Sequence, residues 1–292
     1  THKGPNRLLY LVKKLTPQQS GPAAFKGNLV NALLDGMLRN RELDFKRSFV
    51  EAVAENVLQA AAYGREKLNE MFRDIRQHHW GNLQNTVKEL QDKPVRIEPT
   101  FFSAQYGLQG RLDLMAEDGN DEYRKEIFEL KSGRCPDFNT WKNHEMQVVG
   151  YNLLLRSAFG PHRKGSSAIL YSAAAANPLR NVSSAHHTEN DLLLLRNEVV
   201  GMLLRLAGGG FEVLSAITAA AAEGLPSFSA AHFTAFEQAW QTAPPAAKAY
   251  YQEYLAFTLR EYLQAKCGMF SAMNREEEAD GFSALWRQPE KD

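Results

Sequence analysis

The chain has 292 residues, 44% hydrophobic and 10% aromatic, enough apolar material for a packed core, so intrinsic disorder is not its general state. Lysine plus arginine equals aspartate plus glutamate at 34 each, which excludes a global basic footprint; any nucleic-acid contact must rest on locally gathered charge. No apolar run approaches the ~20 residues of a bilayer-spanning helix, and Thr1-His2-Lys3-Gly4 has no apolar leader, so the expectation is a cytoplasmic protein (nucleoid-associated if bacterial) with no membrane partner.

The missing Met at position 1 reads as a piece excised from a longer chain. Leu8-Leu9-Tyr10-Leu11-Val12 is a short helix or strand; its pattern does not decide. From Ala24 apolar residues recur at three- and four-residue steps (Leu29, Leu33, Leu34, Met37, Leu38), the signature of a helix. A longer helix is expected from Asp44, a suitable N-cap, to Ile75, with His78-His79-Trp80-Gly81 interrupting before a shorter helix to Leu90. Beyond Pro94 the texture turns to strands: one to about Phe102, then Tyr106–Glu117 and Glu122–Lys131, with Asp118-Gly119-Asn120 as a hairpin turn. A polar loop, a helix over about Trp141–Ser157, a buried strand over Ser166–Ser172 and a helix over about Asn190–Leu206 follow. From Phe211 the rest reads as helical, broken at Gly224-Leu225-Pro226 and Pro244-Pro245, with a last strong helix over Ala246–Lys266 and a solvated run at Glu276–Glu278. The order gives a mixed α/β class, a small central mixed sheet flanked by helices with helical N- and C-terminal elaborations.

Alternate residues of a strand share a face, so Glu129 and Lys131 lie side by side with Ile127, opposite Phe128 and Leu130. Asp113 stands among Leu112, Leu114 and Met115 on the preceding strand. Two carboxylates and an ammonium in a sheet interior need compensation, because unpaired buried charge is costly. A hard divalent cation such as magnesium or manganese, held by Asp113 and Glu129, supplies it and is suited to phosphodiester hydrolysis, with Lys131 beside the reacting centre. Taken alone, Glu129 and Lys131 read equally well as a cross-strand ion pair. The bare acid-x-Lys pattern is also weak: Asp44-Phe45-Lys46 repeats it at a helix start.

The combination is more specific. Tyr106-Gly107-Leu108-Gln109-Gly110-Arg111-Leu112-Asp113, Phe128-Glu129-Leu130-Lys131-Ser132-Gly133 and His144-x-x-Gln147-x-x-x-Tyr151, with Phe25–Asp35 upstream, resemble the RecB-like branch of the PD-(D/E)XK nucleases, and Ile169–Ser172 followed by Asn177–Arg180 looks like the nuclease domains of the replication helicase/nuclease family. The likeness covers roughly residues 25–200. It implies a restriction-endonuclease-like core, a catalytic segment over 25–206 and a helical extension over 207–292 of a single 1–292 domain, and a linked or associated helicase. It further implies Asp113, Glu129 and the Leu130 carbonyl as ligands for magnesium or manganese, Lys131 as the catalytic lysine, and Gln147 as a group that positions the lysine or the DNA. Tyr151, His144, Arg111 and Glu98 would border the DNA; Glu98 reads equally as a solvated acid.

Two departures stand out. The family's first helix usually carries a His ligand, and this chain has Asn31, a neutral and weaker donor. Relatives with an iron–sulfur cluster use four cysteines; Cys135 and Cys267 are too few, so no cluster is expected and the two read as free thiols. The adjacent pairs His78-His79 and His186-His187 read as solvated or capping histidines, and Gly208-Gly209-Gly210 lacks the Lys-Ser/Thr of a phosphate loop. Phosphate contacts are expected from among Arg111, Lys125, Arg134, Lys142, Arg156, Arg163, Lys164 and Arg180, and base stacking from among Trp141, Tyr151 and Phe138. The reading that follows is a metal-dependent nuclease of single-stranded DNA, flaps or ends; its rival is a DNA-binding or docking module of the same fold that has lost cleavage.

Overall fold

Local sequence explains where most elements begin. A computed structural model describes residues 6–17, 21–41 and 44–267. The undecided first stretch is a helix, α1 (Asn6–Leu15), followed by α2 (Pro22–Arg39), which opens on a proline whose missing N–H costs nothing in a first turn. Asp44 caps α3 (Phe45–Glu55) by accepting from the Arg47 amide at 3.0 Å. The single helix expected to run to Ile75 is two. Asn56 ends α3, and α4 (Val57–His78) carries a further kink at Gly64, whose φ of +72° a side chain resists. His79 then separates α4 from α5 (Trp80–Glu89).

The two long strands expected before the hairpin are each divided. β1 (Val95–Ile97) and β2 (Thr100–Ser103) are parted by Glu98-Pro99, and β3 (Leu108–Arg111) and β4 (Leu114–Glu117) by Leu112-Asp113. β5 (Lys125–Lys131) pairs antiparallel with β4 through the expected turn. The connection through α6 (Lys142–Phe159) brings β6 (Ser167–Tyr171) parallel to β5. β7 (Leu179–Asn181), a strand that residue pattern did not announce, closes a five-stranded sheet of order β1-β4-β5-β6-β7; β2 and β3 form a separate ribbon.

This mixed α/β arrangement has three layers. Leu114, Ala116, Phe128, Leu130, Ala168 and Leu170 face the side where α2–α5 and Leu90 pack. Met115, Ile127, Ile169 and Tyr171 face α6, meeting Val148, Tyr151, Leu154 and Leu155. Both faces are covered, which is why β5 and β6 read as nearly unbroken apolar runs.

The described residues fall into two compact units, one within Ser20–Glu189 and the other within Thr1–Gln19 and Asn190–Asp292. The second contains α1, α7 (His186–Ala207, mostly), α8 (Glu212–Ser215), a short 3-10 turn, α9 (Ser227–Thr242) and α10 (Pro245–Cys267), around Leu11, Val12, Leu206, Leu214 and Phe233. The breaks before Ser227 and Pro245 fall where the prolines place them. No described helix is long and apolar enough to cross a membrane; Glu276–Glu278 lie outside the described residues.

Candidate metal centre

Asp113 belongs to neither ladder. The β3–β4 chain bends at Leu112-Asp113, opposite the bend of the β1–β2 chain at Glu98-Pro99. Two hydrogen bonds close the double bend: Glu98 N donates to the Asp113 carbonyl at 3.0 Å and Leu112 N to the Pro99 carbonyl at 3.1 Å. Glu98 takes a positive φ of 50° to make it. Freed from strand geometry, Asp113 turns its carboxylate toward β5, where Oδ2 accepts from the Leu130 amide at 2.7 Å.

Glu129 is 2% exposed. Its Oε1 accepts from Lys131 Nζ at 2.6 Å, while its Oε2 is buried and no amine, amide or hydroxyl donor reaches it; the Asp113 carboxyl is the hydrogen-bonding neighbour of Glu129 when one of the two is protonated. Burial, then the neighbouring Asp113, push the Glu129 carboxyl up to about 7, against the pull of Lys131. Burial also raises Asp113, opposed by the Leu130 amide and Lys131. A buried oxygen lacking such a donor, in a carboxyl pair that resists ionising, fits a cation seat.

Lys131 Nζ also donates to Gln147 Oε1 at 2.9 Å. Gln147 Nε2 donates to the Tyr151 hydroxyl at 2.7 Å, and that hydroxyl to the Arg111 carbonyl at 2.9 Å. The i and i+4 spacing on α6 produces this relay. Gly110 makes room for it, since a Cβ there would meet Leu154 Cδ1 at 2.9 Å and Tyr151 Cε1 at 3.0 Å. The ammonium thus has two oriented acceptors and little freedom.

From behind, Lys131 is braced through its backbone. Its carbonyl accepts from Ser172 N at 3.0 Å. Ser172 Oγ meets His79 Nδ1 at 2.8 Å, and Asn82 donates to the carbonyls of Ser172 and Ala174, both at 2.9 Å. Of the two expected roles, His79 takes the capping one, standing at the C-terminus of α4 and the N-terminus of α5, and is not solvated. It is buried, and burial, then Lys26, hold its imidazole down at about 4, hence neutral. His78 is exposed and pairs with Asp74 at 2.9 Å.

No family model matches this chain, and no curated protein matches it. Among solved structures it is similar to one titled "Crystal structure of SSO0001", with 15% identity over 67% of this chain and 84% of that one. The TM-score of 0.27 is too low for that likeness to carry an argument.

The remaining expected residues are scattered around this centre. Asn31 is half-buried on α2, and among the described residues it makes no hydrogen bond to Asp113 or Glu129. Arg111 is exposed and pairs with Glu98 at 3.2 Å. His144 meets the Tyr171 hydroxyl through Nδ1 at 3.0 Å, and burial, then Lys131, lower its pKa. Tyr151 is 7% exposed, so its ring has no face for a base. Three of the expected phosphate contacts serve the fold instead. Lys125 is buried against Glu117 and the Phe159 ring, Arg180 is buried beneath the loop after β5, and Arg163 binds Asn152 and the Lys125 carbonyl.

Asp35 was not singled out in the sequence. It lies one turn beyond Asn31 on α2, where burial, then Glu98 and Asp113, push its carboxyl up to about 6, with Arg39 opposing. Its signal was legible, an acid set among Leu33, Leu34 and Met37 as Asp113 is set among its own apolar neighbours. Even so, among the described residues no group of three or more His, Cys, Asp or Glu is gathered closely enough to hold a metal ion.

Proposed function

We propose that the chain is a magnesium- or manganese-dependent deoxyribonuclease domain. It hydrolyses phosphodiester bonds of single-stranded DNA, flaps or ends, works in the cytoplasm, and does so with a linked or associated helicase. The observation that carries this reading is the buried pair of carboxyls, Glu129 and Asp113, facing each other with Glu129 Oε2 reached by no amine, amide or hydroxyl donor and Lys131 fixed next to it.

Asp113, Glu129 and the Leu130 carbonyl would hold the ion, with Asn31 as a weaker neutral donor. When bound, magnesium or manganese supplies Lewis acidity, offsetting phosphate charge and acidifying water. Lys131 sets a fixed positive charge where the phosphate's negative charge grows. Gln147 orients that ammonium, Tyr151 orients Gln147, and exposed Arg111 offers a phosphate contact.

The test is digestion of an end-labelled single strand with magnesium or manganese and with chelator. Cleavage is expected only with metal, and it should fall by roughly 100-fold or more in Lys131→Ala and Asp113→Ala. Undiminished cleavage by either variant refutes the assignment.

A second reading, a DNA-binding or docking module of this fold without cleavage, is favoured by Asn31 in place of a His ligand and by the lack of a three-acid cluster among the described residues. Calorimetry separates the two: a folded domain that takes up no manganese supports the module.

A further inference from the structure

Phe138 is 90% exposed, the most exposed large apolar side chain among the described residues. One such residue is ordinary on a protein surface. Here, however, the loop beneath it is tied in place by a buried cation. Arg180 Nη1 donates to the Pro136 carbonyl at 2.8 Å and also to the Asn139 carbonyl, gripping the chain on both sides of Asp137-Phe138. Its Nε donates to the Asn177 carbonyl at 3.1 Å, and its guanidinium lies 4.9 Å from the centre of the Tyr171 ring. At the far end, Trp141 N donates to the Tyr171 hydroxyl at 3.0 Å and Trp141 Nε1 to the Arg134 carbonyl at 3.1 Å.

One foot of this loop stands at the candidate centre, and the other opens the helix that reaches it. The loop leaves β5 directly after Lys131 and enters α6, whose Gln147 binds the same Lys131. Arg134 and Lys142, both exposed, flank Phe138 along the chain; Lys142 is shared with Glu145 at 3.2 Å, and Asp137 is the opposing charge at the tip. An apolar ring on a pinned tip, between cations and beside a half-exposed indole, suits a ligand that has flat faces and a negative backbone.

We propose that Phe138 is a stacking platform for an unpaired nucleobase of the strand entering the Glu129–Lys131 site, and that it makes the chain prefer single strands to duplex. This rests on the phosphodiesterase reading above. Every base offers a π-face to an aromatic ring, but bases inside a duplex have both faces occupied. A tip already held in place loses little further freedom on binding.

Fluorescence anisotropy of the full chain in calcium, with a labelled single strand and the same sequence as duplex, tests it. Phe138→Ala should weaken single-strand binding roughly 5- to 150-fold, the span of one base–aromatic stack. Duplex binding and melting temperature should stay unchanged, Phe138→Trp should restore affinity, and abasic sites in the strand should shrink the difference between wild type and Phe138→Ala. Equal single-strand affinity for wild type and Phe138→Ala, equal losses on strand and duplex, or a wild type without preference overturns the proposal. Cleavage by the wild type in magnesium is read separately: cleavage with no effect of Phe138→Ala sinks only the platform, and a Phe138-dependent preference without cleavage sinks only the nuclease.

Discussion

The Tyr151 hydroxyl bridges Gln147 and the Arg111 carbonyl, accepting at 2.7 Å and donating at 2.9 Å, so a buried ring on α6 holds the group that aims Lys131. Tyr151→Phe keeps the ring and removes the bridge. A lost buried hydrogen bond is worth about 1 kcal/mol, so on the proposed nuclease reading single-turnover cleavage should slow by roughly fivefold while DNA affinity holds. Full activity in this variant would separate Gln147 from the chemistry.

Stability should depend on pH in a direction set by raised acids. Glu129 is pushed up to about 7 and Asp35 to about 6, from ordinary values of 4.5 and 3.8. Each binds its proton more tightly folded than unfolded, so its contribution is whole below the unfolded value and is lost as pH rises through the folded one. The acids held low (Asp74, Glu117 and Glu189) have the opposite sign with a window at more acidic pH, while the lowered imidazoles of His79 and His144 oppose the raised acids up to about pH 6.5, the ordinary histidine value. The contribution of Glu129 and Asp35 to melting temperature in chelator should therefore fall from pH 5 to 8. Glu129→Gln should flatten the fall, and manganese should restore stability at pH 8. A profile unaltered in Glu129→Gln contradicts the assignment.

Gly110 is the tightest fit between β3 and α6. In Gly110→Ala the new methyl must displace Leu154, whose end can yield, and the Tyr151 ring, which is held by its hydroxyl. Overpacking of this kind costs about 1–3 kcal/mol. Urea titration should show that loss, accompanied by slower cleavage as the ring moves.

Asp44 offers a control far from the chemistry. Asp44→Ala removes the cap that accepts from Arg47 and should cost about 1 kcal/mol with cleavage per folded molecule unchanged. A drop in turnover at constant fold would mean that α3 takes part in the site.

Much of this was legible in local pattern. Three- and four-residue spacing located the helices, Asp44 its cap, the Asp118–Asn120 turn its hairpin, and period two placed Glu129 beside Lys131. What escaped depends on distant partners. The bends at Glu98-Pro99 and Leu112-Asp113 exist because the two chains bend together, although Pro99 was a local hint. β7 is three residues long and is a strand only through β6. The burial of His79, Lys125 and Arg180 is set by Ser172, Glu117 and loop carbonyls far along the chain. Likewise, no local signal tells α1 that it packs with α9.

The paired bend also restricts how this chain can change length. Ile97 faces Leu114 before it and Thr100 faces Arg111 after it, leaving two residues on each side between the ladders. An insertion in one arm finds no counterpart in the other and reverses the alternation of everything beyond. A change of length in this chain should thus be tolerated best as matched changes in both arms or at the open tip around Tyr106-Gly107, and Asp113 inherits its position from that symmetry.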